Sequence, residues 1–417
     1  MSSMKAACWL LALSGARALV APRGLSWRGG ALAAGAIAEK EPVLTLYRDT
    51  NGWCPFCERV WIALEKKGIA YEEKLIDLQD KPDWYKDIVP TTLVPAIEFH
   101  DERYSAAEPG SGRLVWESKD ILEALDESFD AVPLRSGGDG VAEVAEVLNA
   151  SFGFVYGARN STAAELATKQ ETFVAALDAL DGVLRAKGPF VRGAALSTAD
   201  LELAPTMERF YYQLAVLRPD FPALDAGRPG LAAWFRAMDG EPAYARRVKG
   251  DAYSWTAVTS SFLRFFAAND TETEGKIQKA DAAAAAMLQD SLQDAAALAD
   301  AAAVDEAAAR LSMNRAAVAR DAADASPKTQ PFVARAASTD SADAAIDAAL
   351  AALADARPRR LRRLRRLARG LRKTAPPQLS DDAKVAASCI AARLCAPRDM
   401  GAPAAAALRH VLLKLAQ

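Results

Sequence analysis

The sequence predicts an α/β domain, then an all-helical domain, then a helical or partly disordered extension. Short β-rich runs alternate with helix-like segments before residue 130, and beyond it apolar residues recur at helical spacing. Aromatic usage marks off the extension. All eight tryptophans lie before residue 256, whereas Thr271–Gln417 holds one aromatic, Phe332, amid abundant alanine. Large aromatic rings dominate core burial, so the conventional core belongs before about residue 268.

Length and charge narrow the functional classes. A chain of 417 residues accommodates two or three domains of ~100–200 residues each. Its 51 basic residues nearly balance 54 acidic ones, which points to no nucleic-acid or membrane partner for the chain as a whole. No stretch reaches the ~18 apolar residues of a spanning helix. Five cysteines (Cys8, Cys54, Cys57, Cys389 and Cys395) are too few and too scattered for a disulfide framework. The two histidines, His100 and His410, are far apart in sequence, so no metal site is expected. Reactive thiol chemistry is the better use for Cys54 and Cys57.

Residues 1–38 carry Lys5, Arg17, Arg23 and Arg28 and no acidic side chain before Glu39. A short apolar run, Ala6–Leu13, is followed by small residues and then an arginine-bearing stretch, the pattern of a removable targeting segment. Its two parts resemble the bipartite leaders of algae with complex plastids. A plastid destination is expected, with a mitochondrial or cytoplasmic one as the alternatives.

The first domain spans 42–130. Val43–Tyr47 reads as a strand and Asp49-Thr50-Asn51-Gly52 as a turn. Trp53-Cys54-Pro55-Phe56-Cys57 then opens a helix, with Pro55 where a missing N–H costs nothing and Lys66-Lys67-Gly68 as a basic, glycine-stopped end. Cys54 falls at the N-cap, its sulfur facing the helix N-terminus. A thiolate gains there what a thiol does not, which is expected to draw the pKa from ~8.5 into the ~3.5–7.5 range. Cys57 sits one turn further in, more buried and less able to ionise. The pair could instead be half of a zinc site, but no second pair lies at usable spacing. Tyr71–Ile76, Asp77–Tyr85, Leu93–Phe99 and Leu114–Leu122 complete the order β-α-β-α-β-β-α.

That order, with a proline opening the third strand, is the thioredoxin pattern of the glutathione transferases. The segments Cys54-Pro55-Phe56, Arg59-Val60-Trp61-Ile62, Asp77-Leu78-Gln79, Lys81-Pro82, Trp84-Tyr85-Lys86 and Val94-Pro95-Ala96 resemble the cysteine classes, omega and especially plant lambda. The resemblance implies a thioredoxin-like domain followed by an all-α transferase domain, with glutathione as co-substrate. It makes Cys54 the nucleophile and Pro95 a cis-proline exposing the Val94 backbone to the cysteinyl part of glutathione. It also implies that Glu117 and Ser118 hold the γ-glutamyl end and that Lys81 meets the glycyl carboxylate. Without the resemblance, Glu117-Ser118 reads as an ordinary cap and Lys81 as a solvated lysine. Two features depart from the pattern. Cys57 stands where these classes usually have alanine, as in dithiol glutaredoxins, and Asp101–Gly112 enlarges a turn.

In the second domain, 138–267, Val141–Ala158, Thr162–Ala186, Ser197–Leu217, Pro229–Met238 and Thr256–Phe266 have helical spacing. Ser197 and Asp200 form a candidate capping box. Phe152, Phe154, Tyr156, Tyr211, Tyr212 and Trp255 are candidate walls for a hydrophobic acceptor, although each reads more readily as core. The extension, 268–417, has helix-prone stretches at Ala282–Ala323, Ser341–Ala356 and Ala396–Leu415 with little to bury. Residues 359–373 set Leu361, Leu364, Leu367 and Leu371 against a dense arginine face. This is either a solvated helix or a contact for an anionic membrane or an acidic protein. Cys389 and Cys395 read as small apolar fillers.

The expected function is glutathione-dependent thiol transfer, in which Cys54 forms a mixed disulfide with glutathione and Cys57 is a candidate resolving thiol. The second substrate is a small hydrophobic or disulfide acceptor, and the chain is a monomer or a homodimer. Dehydroascorbate reduction and a non-catalytic ligand-binding or scaffold role are the alternatives.

Overall fold

The computed structural model describes residues 41–100, 114–134, 141–155, 161–266, 270–325, 334–356 and 378–417. The leader 1–38, the insertion 101–112, Tyr156 and the cationic stretch 359–373 lie outside the described residues. The chain divides into two units. One comprises the residues up to Val248 with Phe262–Lys276, apart from a short leader segment; the other contains Lys249–Ser261 and Ile277–Gln417.

In the first unit, β1 (Leu44–Asp49), β2 (Tyr71–Ile76), β3 (Ala96–Phe99) and β4 (Leu114–Trp116) form one sheet in the order β2-β1-β3-β4. β1 pairs parallel to β2 and antiparallel to β3, which pairs antiparallel to β4. With α1 (Pro55–Lys67), α2 (Asp83–Ile88) and α3 (Ser118–Ser128), this is the predicted β-α-β-α-β-β-α order. Gly68 ends α1 at φ +63°, the left-handed stop that the sequence announces. β1 is buried along its whole length although it ends on Arg48 and Asp49. Its guanidinium is paired rather than solvated. Arg48 bonds Glu73 of β2 at 3.0 Å, both side chains fully buried, and lies 4.2 Å from the Trp61 ring. Arg247 lies 4.3 Å from the same ring and 3.7 Å from Glu73. A buried charge persists only with such partners.

The helical part of this unit contains α4 (Val141–Val155), α5 (Ala163–Lys187), α6 (Thr198–Leu217), α7 (Pro229–Asp239) and the short α8 (Pro242–Ala245). α1 packs against α6, and α5 against α4 and α7. Asp200 reaches back to the Ser197 amide and hydroxyl at 2.9 and 2.7 Å, as a capping box requires. Its other oxygen accepts from the Val191 amide and the Trp234 indole, fastening α6 to α7.

α9 (Ala252–Phe266) starts four residues before the predicted Thr256. Beyond it come α10 (Thr271–Gln293), α11 (Ala301–Met313), α12 (Arg315–Ala323), α13 (Thr339–Ala356), α14 (Asp381–Arg393) and α15 (Ala402–Leu415). The single helix-prone stretch Ala282–Ala323 is therefore broken twice. Asp300 caps α11 by accepting from the Ala302 and Ala303 amides, and Asn314 separates α11 from α12. The composition suggests little to bury, yet this unit has its own core. Ala284, Val304, Ala307, Ile346, Ala349, Leu353, Ala387 and Leu412 are fully or almost fully enclosed. Cys389 is buried within that core as a small filler, and Cys395 is buried outside it. No described helix is long and apolar enough to cross a membrane.

Candidate functional site

Strand register gathers the candidate residues at one end of the sheet. Tyr47 of β1 stands opposite Ala96 of β3, and Ala96 opposite Trp116 of β4. The chain therefore leaves β1 toward Cys54, enters β3 from Val94-Pro95 and leaves β4 into Glu117-Ser118 on the same edge. The Val94-Pro95 bond is cis. Tyr85 of α2 fixes the approach to that turn, its hydroxyl donating to the Leu93 carbonyl at 2.7 Å.

Cys54 is the N-cap of α1 and is partly exposed, with Pro55 behind it. Its side chain makes no capping hydrogen bond; the thiol donates instead toward the Val94 carbonyl, Sγ to O 3.9 Å. This differs from the sulfur-to-amide contact expected from sequence. A protonated thiol is a donor and takes a carbonyl, whereas the helix N–H groups offer a partner only to a thiolate. Cys57 is almost fully enclosed, and burial, then its contact with Cys54, pushes its thiol well above the ordinary value. The Cys54 and Cys57 sulfurs and one Asp49 carboxylate oxygen lie within 4.8 Å of one another. Asp49 Oδ2 accepts from the Trp53 amide at 2.8 Å, while buried Oδ1 has no hydrogen-bond partner.

Lys81 is half-buried and faces Cys54. Burial, then Lys86, lowers its ammonium pKa, while the Cys54 sulfur works the other way. Glu117 adopts φ +65°, a conformation that costs a non-glycine residue ~1–3 kcal/mol and is held by its surroundings. It delivers buried Ser118 to the first position of α3, where helix N–H groups converge. The loop before Cys54 is held from the helical domain. Arg209 of α6 donates to the Trp53 carbonyl and to Glu58 of α1, each at 2.7 Å.

Sequence reading missed Asp49 and Arg209 as site residues. Asp49 looked like an ordinary turn former, and the available signal was a carboxylate ending the strand that feeds a C-x-x-C helix. Arg209 lies far along the chain, and only the packing of α6 on α1 brings it to the Trp53 carbonyl. Of the aromatic candidates, Phe154 is core, with ring centroids 5.7 Å from Phe173 and 5.1 Å from Phe221. Trp255 is buried, and Tyr211 is exposed against Phe235. Trp53, next in sequence to Cys54, packs edge-on against Phe262 with ring centroids 5.3 Å apart.

Two family models match the chain: "Glutathione S-transferase, N-terminal domain" over residues 53–128 and "Glutathione S-transferase, C-terminal domain" over 163–237. The Oryza sativa subsp. japonica protein named "Probable glutathione S-transferase DHAR1, cytosolic" is 32% identical over 168 residues. That match covers 40% of this chain and 71% of the rice protein. "Glutathione S-transferase L1" of Arabidopsis thaliana is 32% identical over 222 residues, 51% of this chain and 84% of that one. Among solved structures, glutathione transferase Omega 3C from Trametes versicolor is 26% identical. It aligns with a TM-score of 0.41, covering 49% of this chain and 88% of its own.

Proposed function

Because this chain belongs to the glutathione S-transferase family, we propose that it is a thiol transferase in which Cys54 exchanges disulfides with glutathione. The carrying observation is the Cys54 thiol at a helix start, 3.9 Å from the Val94 carbonyl beside a cis-proline. A deprotonated Cys54 attacks the sulfur of a glutathionylated or disulfide substrate and the substrate leaves as a thiol. A second glutathione then releases Cys54. This exchange needs a nucleophilic sulfur and an acceptable leaving thiol, with no histidine required.

In this reading, the Val94 backbone aligns the cysteinyl part of glutathione as a strand would. The α3 N-terminus with Ser118 takes its γ-glutamyl carboxylate, Glu117 its ammonium, and Lys81 its glycyl carboxylate. Trp53 and Phe262 give the acceptor an apolar wall, which suits a hydrophobic conjugate.

The test is turnover of hydroxyethyl disulfide and of glutathionyl-aromatic conjugates by the full chain and by Cys54→Ser. Loss of activity to background is expected; a Cys54→Ser enzyme with full activity overturns the reading. Dehydroascorbate is the competing acceptor, because the DHAR1 and L1 proteins match this chain at the same 32% identity. Preference for dehydroascorbate over both disulfide substrates in the same assay would select it. A plastid address rests on the acid-free, arginine-bearing first 38 residues. It is tested by import and shortening of the full precursor in isolated chloroplasts.

A further inference from the structure

Cys57 is enclosed beside the nucleophile, and a thiol so placed cannot attack a disulfide until something takes its proton. Burial, then the neighbouring Cys54, holds that proton on Cys57 more firmly than on an ordinary cysteine. The groups facing the two sulfurs come from every adjoining element. Arg59 of α1 and Lys81 before α2 face Cys54, and the Tyr85 phenol of α2 faces Cys57. The two cations have no free lone pair for a proton, and Tyr85 already donates its own to Leu93. The end of β1 supplies Asp49. It is 2% exposed, has one oxygen engaged by Trp53, and has the other without a hydrogen-bond partner.

We propose that Asp49 is the proton acceptor for Cys57, allowing the enzyme to resolve its Cys54–glutathione mixed disulfide internally. The proposal rests on the thiol-transfer reading above. The Cys57 S–H bond breaks toward the Asp49 carboxylate as the Cys57 sulfur attacks Cys54 Sγ. The bond between Cys54 and glutathione breaks, glutathione leaves as a thiolate, and it takes up the proton held by Asp49. The mixed disulfide and the internal disulfide are at the same oxidation level, so no external oxidant or reductant enters this step. Two further glutathione molecules then reduce the Cys54–Cys57 bond, returning as glutathione disulfide. The negative charge of Asp49 opposes a free Cys57 thiolate. That is no obstacle if proton and sulfur move together, because the thiolate then never accumulates. A positioned base in general acid–base catalysis typically contributes about 10²–10⁴-fold.

The experiment mixes the reduced full chain with oxidised glutathione and follows acid-quenched samples by intact mass. Wild type is expected to pass through a one-glutathione adduct to an internal disulfide, and Cys57→Ser to stop at the adduct. Asp49→Asn keeps an oxygen for the Trp53 amide but cannot take the proton. Its adduct should persist at least about tenfold longer near neutral pH, with closure recovering as pH rises. Closure in Asp49→Asn at the wild-type rate at every pH overturns the proposal, as does wild type that never closes. A second readout needs no variant. With Asp49 as acceptor, wild-type closure rises with pH by less than the roughly tenfold per unit that unassisted ionisation of a buried thiol gives. A rise at that full slope also overturns it. The underlying reading fails differently: Cys57→Ser would then form no adduct, or Cys54→Ser would form one as readily as wild type.

Discussion

The first unit fills its core with Trp61, Tyr85, Phe154, Phe173, Phe210 and Trp234; the second fills its own with Ala284, Ala307, Ala345, Ala349, Ala387 and Ala404 among a few leucines. In the first unit a few large rings each remove much apolar area from water, so stability is concentrated in single side chains. In the second, each alanine contributes little, and helices can approach near the short end of the ~8–10 Å interaxial range. Stability is then spread over many close backbone contacts. Tyr253 adds a ring to that core, and even its hydroxyl is spent on the Ala392 carbonyl. The difference implies opposite weaknesses: the first unit should fail by truncation, the second by enlargement.

Truncation gives the largest expected effect. Phe173→Ala removes a fully buried ring that packs against Phe154, Phe210 and Phe221, and should cost the first unit ~3–5 kcal/mol. Urea unfolding followed by tryptophan fluorescence reads this unit, because Trp53, Trp61, Trp84, Trp116 and Trp234 belong to it and only Trp255, of the described tryptophans, to the other. A loss below about 1 kcal/mol would mean that the ring cluster is not where stability is concentrated.

Enlargement is the matching experiment. Ala349 is fully enclosed on α13, a helix that packs against α11, α12, α14 and α15. Ala349→Leu should destabilise the second unit by ~1–3 kcal/mol, read as an earlier loss of far-UV helix signal. Neutral or stabilising behaviour would show that the alanine core has room, and the contrast between the units would collapse.

Buried charge sharpens the comparison next. The second unit pairs its charges simply, as in Arg393–Asp321 at 2.6 Å and Arg409–Asp251 at 3.0 Å. The first unit sets Glu58 beside both Arg209 and Glu208. Burial is the main cause raising the Glu58 carboxyl well above the usual range, with Glu208 adding to it and Arg209 opposing. The native state therefore keeps a proton that the unfolded chain releases near the ordinary glutamate value of 4.5. The stability tied to that proton is complete below about pH 4.5 and is lost as pH rises toward the folded value, by at most ~1.4 kcal/mol per unit. Glu58→Gln should flatten this fall when urea midpoints are compared across pH. A difference from wild type that stays constant with pH would rule the proton out.

The same contrast explains what was legible in the sequence. Around Cys54, residue types with special backbone or chemical roles stand out: Pro55 at the first helical position, Pro95 before β3, and Glu117-Ser118 at the start of α3. Each has a local signature, and their order matched a known pattern. Asp49 has only the weak one of a carboxylate ending the strand before the C-x-x-C helix, because its closeness to two sulfurs is created by β1 pairing and the following turn. In the second unit, alanine erases the contrast between buried and exposed faces, so helical periodicity has little signal to carry. The break at Asp300 was readable as a cap. α14 has no such contrast with its neighbours in sequence, although Ser380 opens it by accepting from the Ala383 amide at 3.3 Å.

The smallest predicted effect tests whether surface ion pairs compensate for that modest core. Arg315 of α12 bonds Asp343 at 2.6 Å and Asp347 at 2.9 Å on α13, one turn apart, a geometry suited to a forked guanidinium. The three side chains are 37%, 38% and 63% exposed, so water and salt screen much of the attraction. Arg315→Ala should therefore cost the second unit no more than about 1 kcal/mol at low salt, and less in 0.5 M salt. The check is the denaturant midpoint of the helix signal at both ionic strengths. A loss of several kcal/mol that salt does not reduce would mean that this pair, rather than distributed alanine packing, joins α12 to α13.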